Sequence, residues 1–217
     1  MDNIFSLLIP SLWETLLMVA LSTVFSLILG FPLGILLVIT EKGGIWEKPS
    51  LNSILSAIVN VFRSFPFIIL MIFVMPLTKV IVGKSIGTLA TVVPLSIAAA
   101  PFVARIIEGA LKEVDRGIIE AVSSMGASTF EIITKVLIPE AMPSLILGIT
   151  LTIINLIGYS AMAGAIGGGG LGDLAIRYGY HRFQTDIMIA SVILIIILVQ
   201  VIQFIGNKLA LIIDKRK

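Results

Sequence analysis

Two short segments of the sequence contain residue types that other proteins use to bind nucleotides. Gly167, Gly169 and Gly172 have the spacing of the dinucleotide-binding fingerprint, and residues 83–85 read Gly-Lys-Ser, like the end of a P-loop. The fingerprint acts only where a strand leads into a helix, and the P-loop needs a glycine where this chain has Thr78. The sequence therefore predicts that this chain does not bind ATP or a dinucleotide, and that residues 167–172 form a flexible or tightly packed turn.

Two other segments approach the motifs of proteases that act inside membranes. Residues 170–173 read Gly-Leu-Gly-Asp, and residues 158–161 read Gly-Tyr-Ser-Ala. An aspartyl protease needs two carboxylates that share a proton, but every aspartate lies outside or at the edge of the apolar runs described below. A serine nucleophile needs a base, and His181 is the one histidine of a chain without cysteine. We therefore predict no catalytic, metal or cofactor site in this chain.

Several polar or soft side chains lie within apolar runs and are candidates for lining a pathway or its gate. An arginine inside a membrane span costs about 2.5 to 3.5 kcal/mol on insertion scales when it is central, so such residues face a bundle interior, a cavity or an interface. Structural anchoring, a subunit interface and a direct role in the pathway all remain open for Arg63, and Asn60, one turn earlier, can share its hydrogen bonds. The candidates are Asn60, Arg63, Asn155, Tyr159, Ser160 and Met162.

The composition requires that these residues be positioned by membrane-spanning helices. The chain has 217 residues, a mean hydropathy of +1.12, 58% hydrophobic and only 13% charged residues, far from the composition of a soluble domain. Apolar runs long enough to cross a bilayer occur five times, at residues 15–40, 54–76, 85–105, 144–166 and 187–209. Backbone groups in lipid must be satisfied within each segment, so we predict a single all-α polytopic domain with five transmembrane helices. Glycines and prolines near the end of the first run suggest a bend and a close helix contact there.

The distribution of basic residues predicts the orientation of these spans. One side is expected to carry ten lysines and arginines and the other side four, so the first side is assigned to the cytoplasm. With an odd number of spans, the N-terminus is then outside and the C-terminus cytoplasmic. The net charge of +2 is too small to indicate a nucleic-acid partner. The ten residues are Lys42, Lys48, Arg105, Lys112, Arg116, Lys135, Lys208, Lys215, Arg216 and Lys217.

The long polar interval at residues 106–140 is predicted to contain a short amphipathic helix on the cytoplasmic side. Ile118, Val122 and Met125 fall at helical spacing on one face. Gly126 is typical of a helix end. Ser128 with a glutamate three residues later predicts a capping box that starts the next helix, which Pro139 is expected to interrupt. We expect the apolar face of the short helix to be unburied by this chain alone and to fit a groove on a partner.

The same interval resembles the EAA signature of the permease subunits of bacterial ABC importers. Glu120, Ala121, Gly126 and Pro139 match the signature, and Val122 replaces its second alanine. The resemblance implies a coupling helix that docks in a cleft of a separate ATPase subunit. The residues assigned to this coupling are Ile118, Ile119, Glu120, Ala121, Val122, Met125, Gly126 and Ala127.

Three further stretches closely resemble the permeases of methionine importers, namely residues 60–70, 94–105 and 158–172. The resemblance implies a type I ABC importer permease fold in the bacterial cytoplasmic (inner) membrane and transport by alternating access. It also implies a homodimer, two ABC ATPase subunits that bind ATP and Mg, and an extracytoplasmic methionine-binding protein. This chain would then be a transport subunit and not an enzyme. The alternatives are an ABC permease for another amino acid or small solute and a secondary carrier, although a carrier would be expected to show ionisable groups near the midplane or inverted repeats.

Overall fold

The computed structural model describes the backbone of residues 2–214 and the side chains of residues 4–214. Within this range every regular element is helical, which confirms the predicted all-α fold. Three of the ten basic residues used for orientation, Lys215, Arg216 and Lys217, lie outside the described residues. Two π-helical turns, Ile133–Leu137 and Ala175–Tyr180, follow α6 and α8. The helices are α1 (Asp2–Ile39), α2 (Pro49–Ser64), α3 (Phe67–Val82), α4 (Thr88–Lys112), α5 (Arg116–Ser124), α6 (Thr129–Ile132), α7 (Ile138–Gly164), α8 (Gly170–Leu174) and α9 (Thr185–Ile213).

The core of the bundle is built around α4, which packs against α1, α3 and α7. Two glycines one turn apart on α1 let its backbone approach α4 closely. A Cβ on Gly34 would lie 2.6 Å from Ile107 Cβ, and a Cβ on Gly30 would lie 2.7 Å from Val103 Cβ. Small residues at helix crossings allow such approach in membranes. The close helix contact predicted for the end of the first apolar run is confirmed.

The first helix is longer than the predicted span, because α1 begins at Asp2 rather than near residue 15. The prediction counted uncharged residues and therefore stopped at Glu14. In the structure Glu14 continues the helix, and its carboxylate accepts a hydrogen bond of 2.7 Å from the Gly170 N–H. The neighbouring Thr15 hydroxyl accepts one of 2.9 Å from the Leu171 N–H. A charged residue is thus accommodated inside α1 because it satisfies the first amide groups of α8.

These contacts also change the interpretation of the glycine-rich segment. Gly167, Gly169 and Gly170 all have positive φ values, near 83°, 84° and 78°. A Cβ on Gly168 would lie 2.8 Å from Ala163 O and 2.9 Å from Thr91 Oγ1. The turn is therefore tightly packed. α8 begins at Gly170, but its first amides are occupied by side chains of α1.

The second apolar run is not one straight helix. α2 and α3 meet at an angle of 105°, at Phe65 and Pro66. Phe65 has extended backbone angles, φ −71° and ψ 128°, as expected for a residue before proline, since the proline ring disfavours the helical conformation there. By length and composition the described residues contain four helices able to cross a membrane, or five if the bent pair forms one span.

Two further long helices extend beyond the predicted spans. α4 continues to Lys112, and a 36-residue helix runs without a break from Thr129 to Gly164. The predicted loop at residues 106–140 therefore contains the end of α4 and the start of the next long helix as well as α5. Pro139 does not interrupt the helix, because the π-helical turn Ile133–Leu137 precedes it directly. Such a turn is a common way to accommodate local disruption of the helical hydrogen bonds.

Candidate functional site

The short helix α5 ends where the sequence predicted. At its start the Asp115 carboxylate accepts a hydrogen bond of 2.7 Å from the Gly117 N–H, which caps the helix. After its end Gly126 has a positive φ of 86°. The capping box of Ser128 and Glu131 is present, with the Ser128 hydroxyl accepting from the Glu131 N–H at 3.3 Å. Local sequence signals alone therefore define where α5 ends and where the next helix begins.

The apolar face of α5 is divided between this chain and its surroundings. Ile119 and Val122 pack against the hydrophobic cluster beneath the helix, so the expectation of a fully unburied face is wrong for these two residues. Ile118 and Met125 are 42% and 84% exposed, and Phe130 beyond the turn is 74% exposed. Sequence reasoning missed Phe130, although an aromatic residue two positions after a capping serine is a detectable signal. Of the other predicted residues, Glu120, Ala121 and Gly126 are exposed and Ala127 is partly buried.

Asn60 and Arg63 do not share hydrogen bonds as predicted. The Asn60 amide oxygen accepts a hydrogen bond of 2.8 Å from Nη2 of Arg105 on α4. Arg63 lies exposed in the last turn of α2 and makes no hydrogen bond or ion pair with the side chains described at residues 4–214. Both arginines were visible in the sequence, but the packing of α2 on α4 decides which of them meets Asn60.

Two of the four predicted pathway residues on α7 lie on one exposed stripe. Asn155 is exposed, and Met162, two turns further along, is 48% exposed. Leu147 and Leu151 continue the stripe towards the start of α7, at 40% and 50% exposure. The spacing of four, four and seven residues places all of them on one face of the helix. We call Leu147, Leu151, Asn155 and Met162 the α7 stripe.

The other two predicted pathway residues of α7 point into the bundle. The Tyr159 ring stacks on Phe67 of α3, with centroids 4.6 Å apart and planes 5° from parallel. Ser160 is 2% exposed, and its hydroxyl donates to the Ile157 carbonyl at 2.8 Å. Its polarity is satisfied within α7, as is usual for serine in membrane helices. These residues hold α7 in place and do not reach the exposed face.

At the glycine-rich end of the bundle, the carboxyl group of Asp173 has a raised pKa. Burial raises the pKa of Asp173, and the nearby Glu14 carboxylate raises the pKa further, while the positive charge of Arg177 lowers it. Asp173 and Arg177 form an ion pair of 2.8 Å on one helical face. Among the described residues, no group of three or more His, Cys, Asp or Glu side chains is placed to hold a metal ion.

Long apolar helices, two of them joined by a short amphipathic helix, define a polytopic membrane protein. Residues 30–217 match the family model described as "Binding-protein-dependent transport system inner membrane component". The chain belongs to this family of inner-membrane transport components. It is therefore a multi-pass membrane permease, and the prediction that it is a transport subunit rather than an enzyme agrees with this family.

Individual relatives cover most of the chain. The "Probable D-methionine transport system permease protein MetI" of Vibrio cholerae is 52% identical over 210 residues, which are 97% of this chain and 93% of that relative. The "Methionine import system permease protein MetP" of Bacillus subtilis is 52% identical over 181 residues, which are 83% of this chain and 82% of that relative. A solved structure described as "Inward facing conformations of the MetNI methionine ABC transporter" superposes with a TM-score of 0.98 at 46% identity and covers 99% of this chain and 100% of that one. These findings confirm the resemblance to methionine-importer permeases.

Proposed function

We propose that this chain is the permease subunit of an ATP-driven importer and that methionine is its cargo. The cargo is inferred from relatives that are half identical over nearly the whole chain and are named for methionine or D-methionine transport. The single structural observation that supports an ATP-driven mechanism is the exposed surface of Ile118, Met125 and Phe130 around α5. Ile118 and Met125 lie at helical spacing, and Phe130 follows the turn in α6. Exposed apolar residues held in place by two helix caps are suited to docking in a partner's groove.

The partner at this surface is an ABC ATPase subunit, and the assembly is a homodimer of this chain with two such subunits. ATP and Mg are bound and used there and not in this chain. Closure of the ATPases on ATP displaces α5, and the spans rock between an outward-open and an inward-open arrangement. Because a ligand shifts such an equilibrium only through unequal affinity for its two states, the energy of ATP enters the permease through the docked helix.

The pathway runs along the α7 stripe. Apart from Asn155 the stripe is apolar, and in a homodimer the second copy supplies an equivalent stripe, so the two are suited to enclose a passage between them. Arg63 lies at the exposed end of α2 and joins the pathway or the subunit interface. Tyr159 and Ser160, which point into the bundle, support the stripe from behind.

Cargo is delivered by an extracytoplasmic methionine-binding protein at the end opposite α5. The excess of lysine and arginine at the α5 end supports a cytoplasmic location for that end. The N-terminus is then outside, and the glycine-rich turn faces the binding protein. Much of the selectivity for methionine then resides in the binding protein.

The test is reconstitution of the affinity-tagged chain together with the ABC ATPase and the methionine-binding protein of the same organism. We expect the ATPase to co-purify and ATP-dependent uptake of radiolabelled methionine into proteoliposomes. An ATPase lacking its P-loop lysine is the matched control and should abolish uptake. Failure of the ATPase to co-purify, or uptake driven by an ion gradient without ATP, would exclude the proposal. If another amino acid is taken up with ATP and methionine is not, the proposed cargo is wrong and the proposed mechanism stands.

A further inference from the structure

A single arginine joins α2 to α4. Arg105 donates from Nη1 to the Glu108 carboxylate at 2.5 Å, and from Nη2 to the Asn60 amide oxygen at 2.8 Å and the Ser56 carbonyl at 3.4 Å. The planar guanidinium fork makes these contacts simultaneously, which a lysine ammonium on a flexible stem does not reproduce. Arg105 therefore holds a residue of its own helix with one arm of the fork and α2 with the other.

The same group of charges continues to the start of α5. Glu108 also accepts from the Lys112 ammonium at 2.9 Å, and that ammonium lies 2.7 Å from the carboxylate of Glu41, just beyond α1. The second oxygen of Glu41 lies 3.7 Å from Nη2 of Arg116, the first residue of α5. An unbroken series of polar contacts thus leads from the candidate docking helix to α2. We call Glu41, Asn60, Arg105, Glu108, Lys112 and Arg116 the charge relay.

The helix at the far end of this relay is weakly held by apolar packing. Of the 16 residues of α2 only Val59 is buried, and the helix is bent by 105° away from α3 at Phe65 and Pro66. Among the described residues its polar attachments to other elements are few. Asn52 Nδ2 donates to the Leu37 carbonyl at 2.6 Å and to the Thr40 hydroxyl at 3.2 Å, and the remaining ones are the contacts to Arg105. Because so little apolar area of α2 is buried, its position against α4 depends largely on the hydrogen bonds to Arg105.

The end of the relay at Arg105 and Glu108 is buried, whereas the side chains of Lys112 and Arg116 are 41% and 70% exposed. Glu108 is only 9% exposed, and a buried carboxylate is strongly destabilised if its cationic partners move away. Nε of Arg105 is buried and has no hydrogen-bond partner among the described residues. A buried donor left unbonded in one arrangement is available for a different set of acceptors in another. The guanidinium can therefore exchange partners as α2 moves while remaining beside Glu108.

We propose that Arg105 is a positioning residue that transmits displacement of α5 to α2 through the charge relay. This inference rests on the proposed function, since it requires that α5 is displaced by an ATPase. When α5 moves, Arg116 and Glu41 move with it, Lys112 and Glu108 follow, and the fork of Arg105 shifts α2 about its break at residues 65–66. The outcome is coupling of ATP hydrolysis to opening of the pathway.

Two substitutions distinguish the bridge between α2 and α4 from the positive charge of Arg105 and from effects on folding. Arg105→Lys retains the positive charge beside Glu108 but loses the fork to Asn60, and Asn60→Leu removes the acceptor and leaves every charge in place. In the reconstituted complex we expect both variants to assemble and to hydrolyse ATP, with methionine uptake per ATP hydrolysed reduced about tenfold, within the range typical of allosteric coupling. The double variant should be no worse than the worse single variant, because both remove the same contact.

The matched control is Asn207→Leu. Asn207 accepts a hydrogen bond of 2.7 Å from Gln203 of the same helix, so this substitution removes a bond of similar length that joins no two elements. Uptake per ATP should remain within twofold of the unaltered complex. If Arg105→Lys fails to assemble, Asn60→Leu decides alone.

A distance measurement tests the mechanical step directly. The chain contains no cysteine, so Val61→Cys on the exposed face of α2 can carry one spin label in each copy, with ATPase subunits whose cysteines have been replaced. We expect the distance between the two labels to change when a non-hydrolysable ATP analogue is added, and this change to be lost in Arg105→Lys. A purely structural role for Arg105 would lower stability without abolishing the change.

The outcomes are distinct. Uptake per ATP in Arg105→Lys and Asn60→Leu equal to that of Asn207→Leu, or an unaltered label response in Arg105→Lys, overturns the relay and leaves the proposed function standing. If the losses of uptake per ATP in Arg105→Lys and Asn60→Leu add up in the double variant, the relay is also overturned, because the two substitutions would then act through different contacts. Absence of any ATP-dependent uptake by the unaltered chain overturns the proposed function and this inference with it.

Discussion

Gly126 lies where α5 turns towards the next helix, and its backbone conformation restricts which residues can replace it. Its φ of 86° lies in the left-handed region, and no atom lies within 4 Å of the position that a Cβ would occupy. A substitution there is therefore limited by backbone strain and not by space. Asparagine adopts this region far more readily than a β-branched residue.

We predict that Gly126→Val lowers ATP-driven uptake strongly while the protein still inserts into the membrane. The strain of about 1 to 2 kcal/mol is relieved by distorting the end of α5, which displaces Met125 from the docking surface. Uptake and ATPase co-purification are the measurements. Gly126→Asn is the control and should retain most of the uptake, and equal activity of the two variants would contradict the role of the turn.

Asp173 gives a prediction for the dependence of stability on pH. Burial and Glu14 raise its pKa in the folded protein above the ordinary value of 3.8, so the folded state binds the proton more tightly than the unfolded state. The contribution of the protonated form to stability is complete below pH 3.8 and is lost as pH rises through the higher folded pKa. Thermal unfolding of Asp173→Asn should show a smaller loss of stability across this window than the unaltered protein. An unchanged pH profile in this variant would contradict the assignment.

At the scale of elements, the crossing of α1 and α4 is controlled by two glycines. A side chain on Gly34 would meet the Ala104 carbonyl oxygen at 2.7 Å as well as the side chain of Ile107. Backbone atoms cannot move aside as a flexible side chain does, so the helices themselves would have to separate. The separation of these helices therefore depends on the absence of side chains at this crossing.

Gly34→Leu is therefore predicted to destabilise the bundle by about 1 to 3 kcal/mol or more, the usual cost of overpacking a core. The midpoint of thermal unfolding in detergent measures the effect. Gly109→Ala on α4 is the matched control, because Gly109 is helical and has no atom within 4 Å of its Cβ position. Its unfolding midpoint should not fall. A similar loss in both variants would show that helical glycines matter here for reasons other than close packing.

At the scale of the whole molecule, the exposed surfaces differ in what we expect to cover them. Leu151 on α7 and Val201 on α9 are 50% and 48% exposed, so neither is needed to fill the core of one chain. Their surroundings differ, because Leu151 belongs to the α7 stripe with Asn155 while Val201 lies on a helix of which only four residues are buried. That helix surface is suited to contact with lipid.

Leu151→Trp should therefore reduce methionine uptake at least tenfold, which corresponds to about 1.4 kcal/mol, without changing the stability of the single chain. Val201→Trp should leave uptake unchanged, since a bulky apolar residue is tolerated against lipid. Uptake in proteoliposomes and thermal unfolding together make the comparison. Loss of uptake in Val201→Trp with none in Leu151→Trp would place the pathway elsewhere.

The sequence by itself determined the features that depend on neighbouring residues and on composition. These are the all-α class, the apolar helices, the end of α5 at Gly126 and the capping box of Ser128, together with the family, whose signature has fixed spacing. Each arises from local backbone preference or from the requirement that a backbone in lipid satisfies its own hydrogen bonds, so a linear pattern is sufficient.

Only the tertiary structure decided which partners these residues meet. The pairing of Asn60 with Arg105, the use of Glu14 inside α1, the burial of Ser160 and the divided face of α5 all depend on helices far apart in the chain. A 3.6-residue period indicates which residues share a face but not what that face contacts. The predicted span ended at the charge of Glu14, because the amide of Gly170 that satisfies this charge is 156 residues away in the sequence. Contacts of this kind arise from packing, whose geometry no single segment encodes.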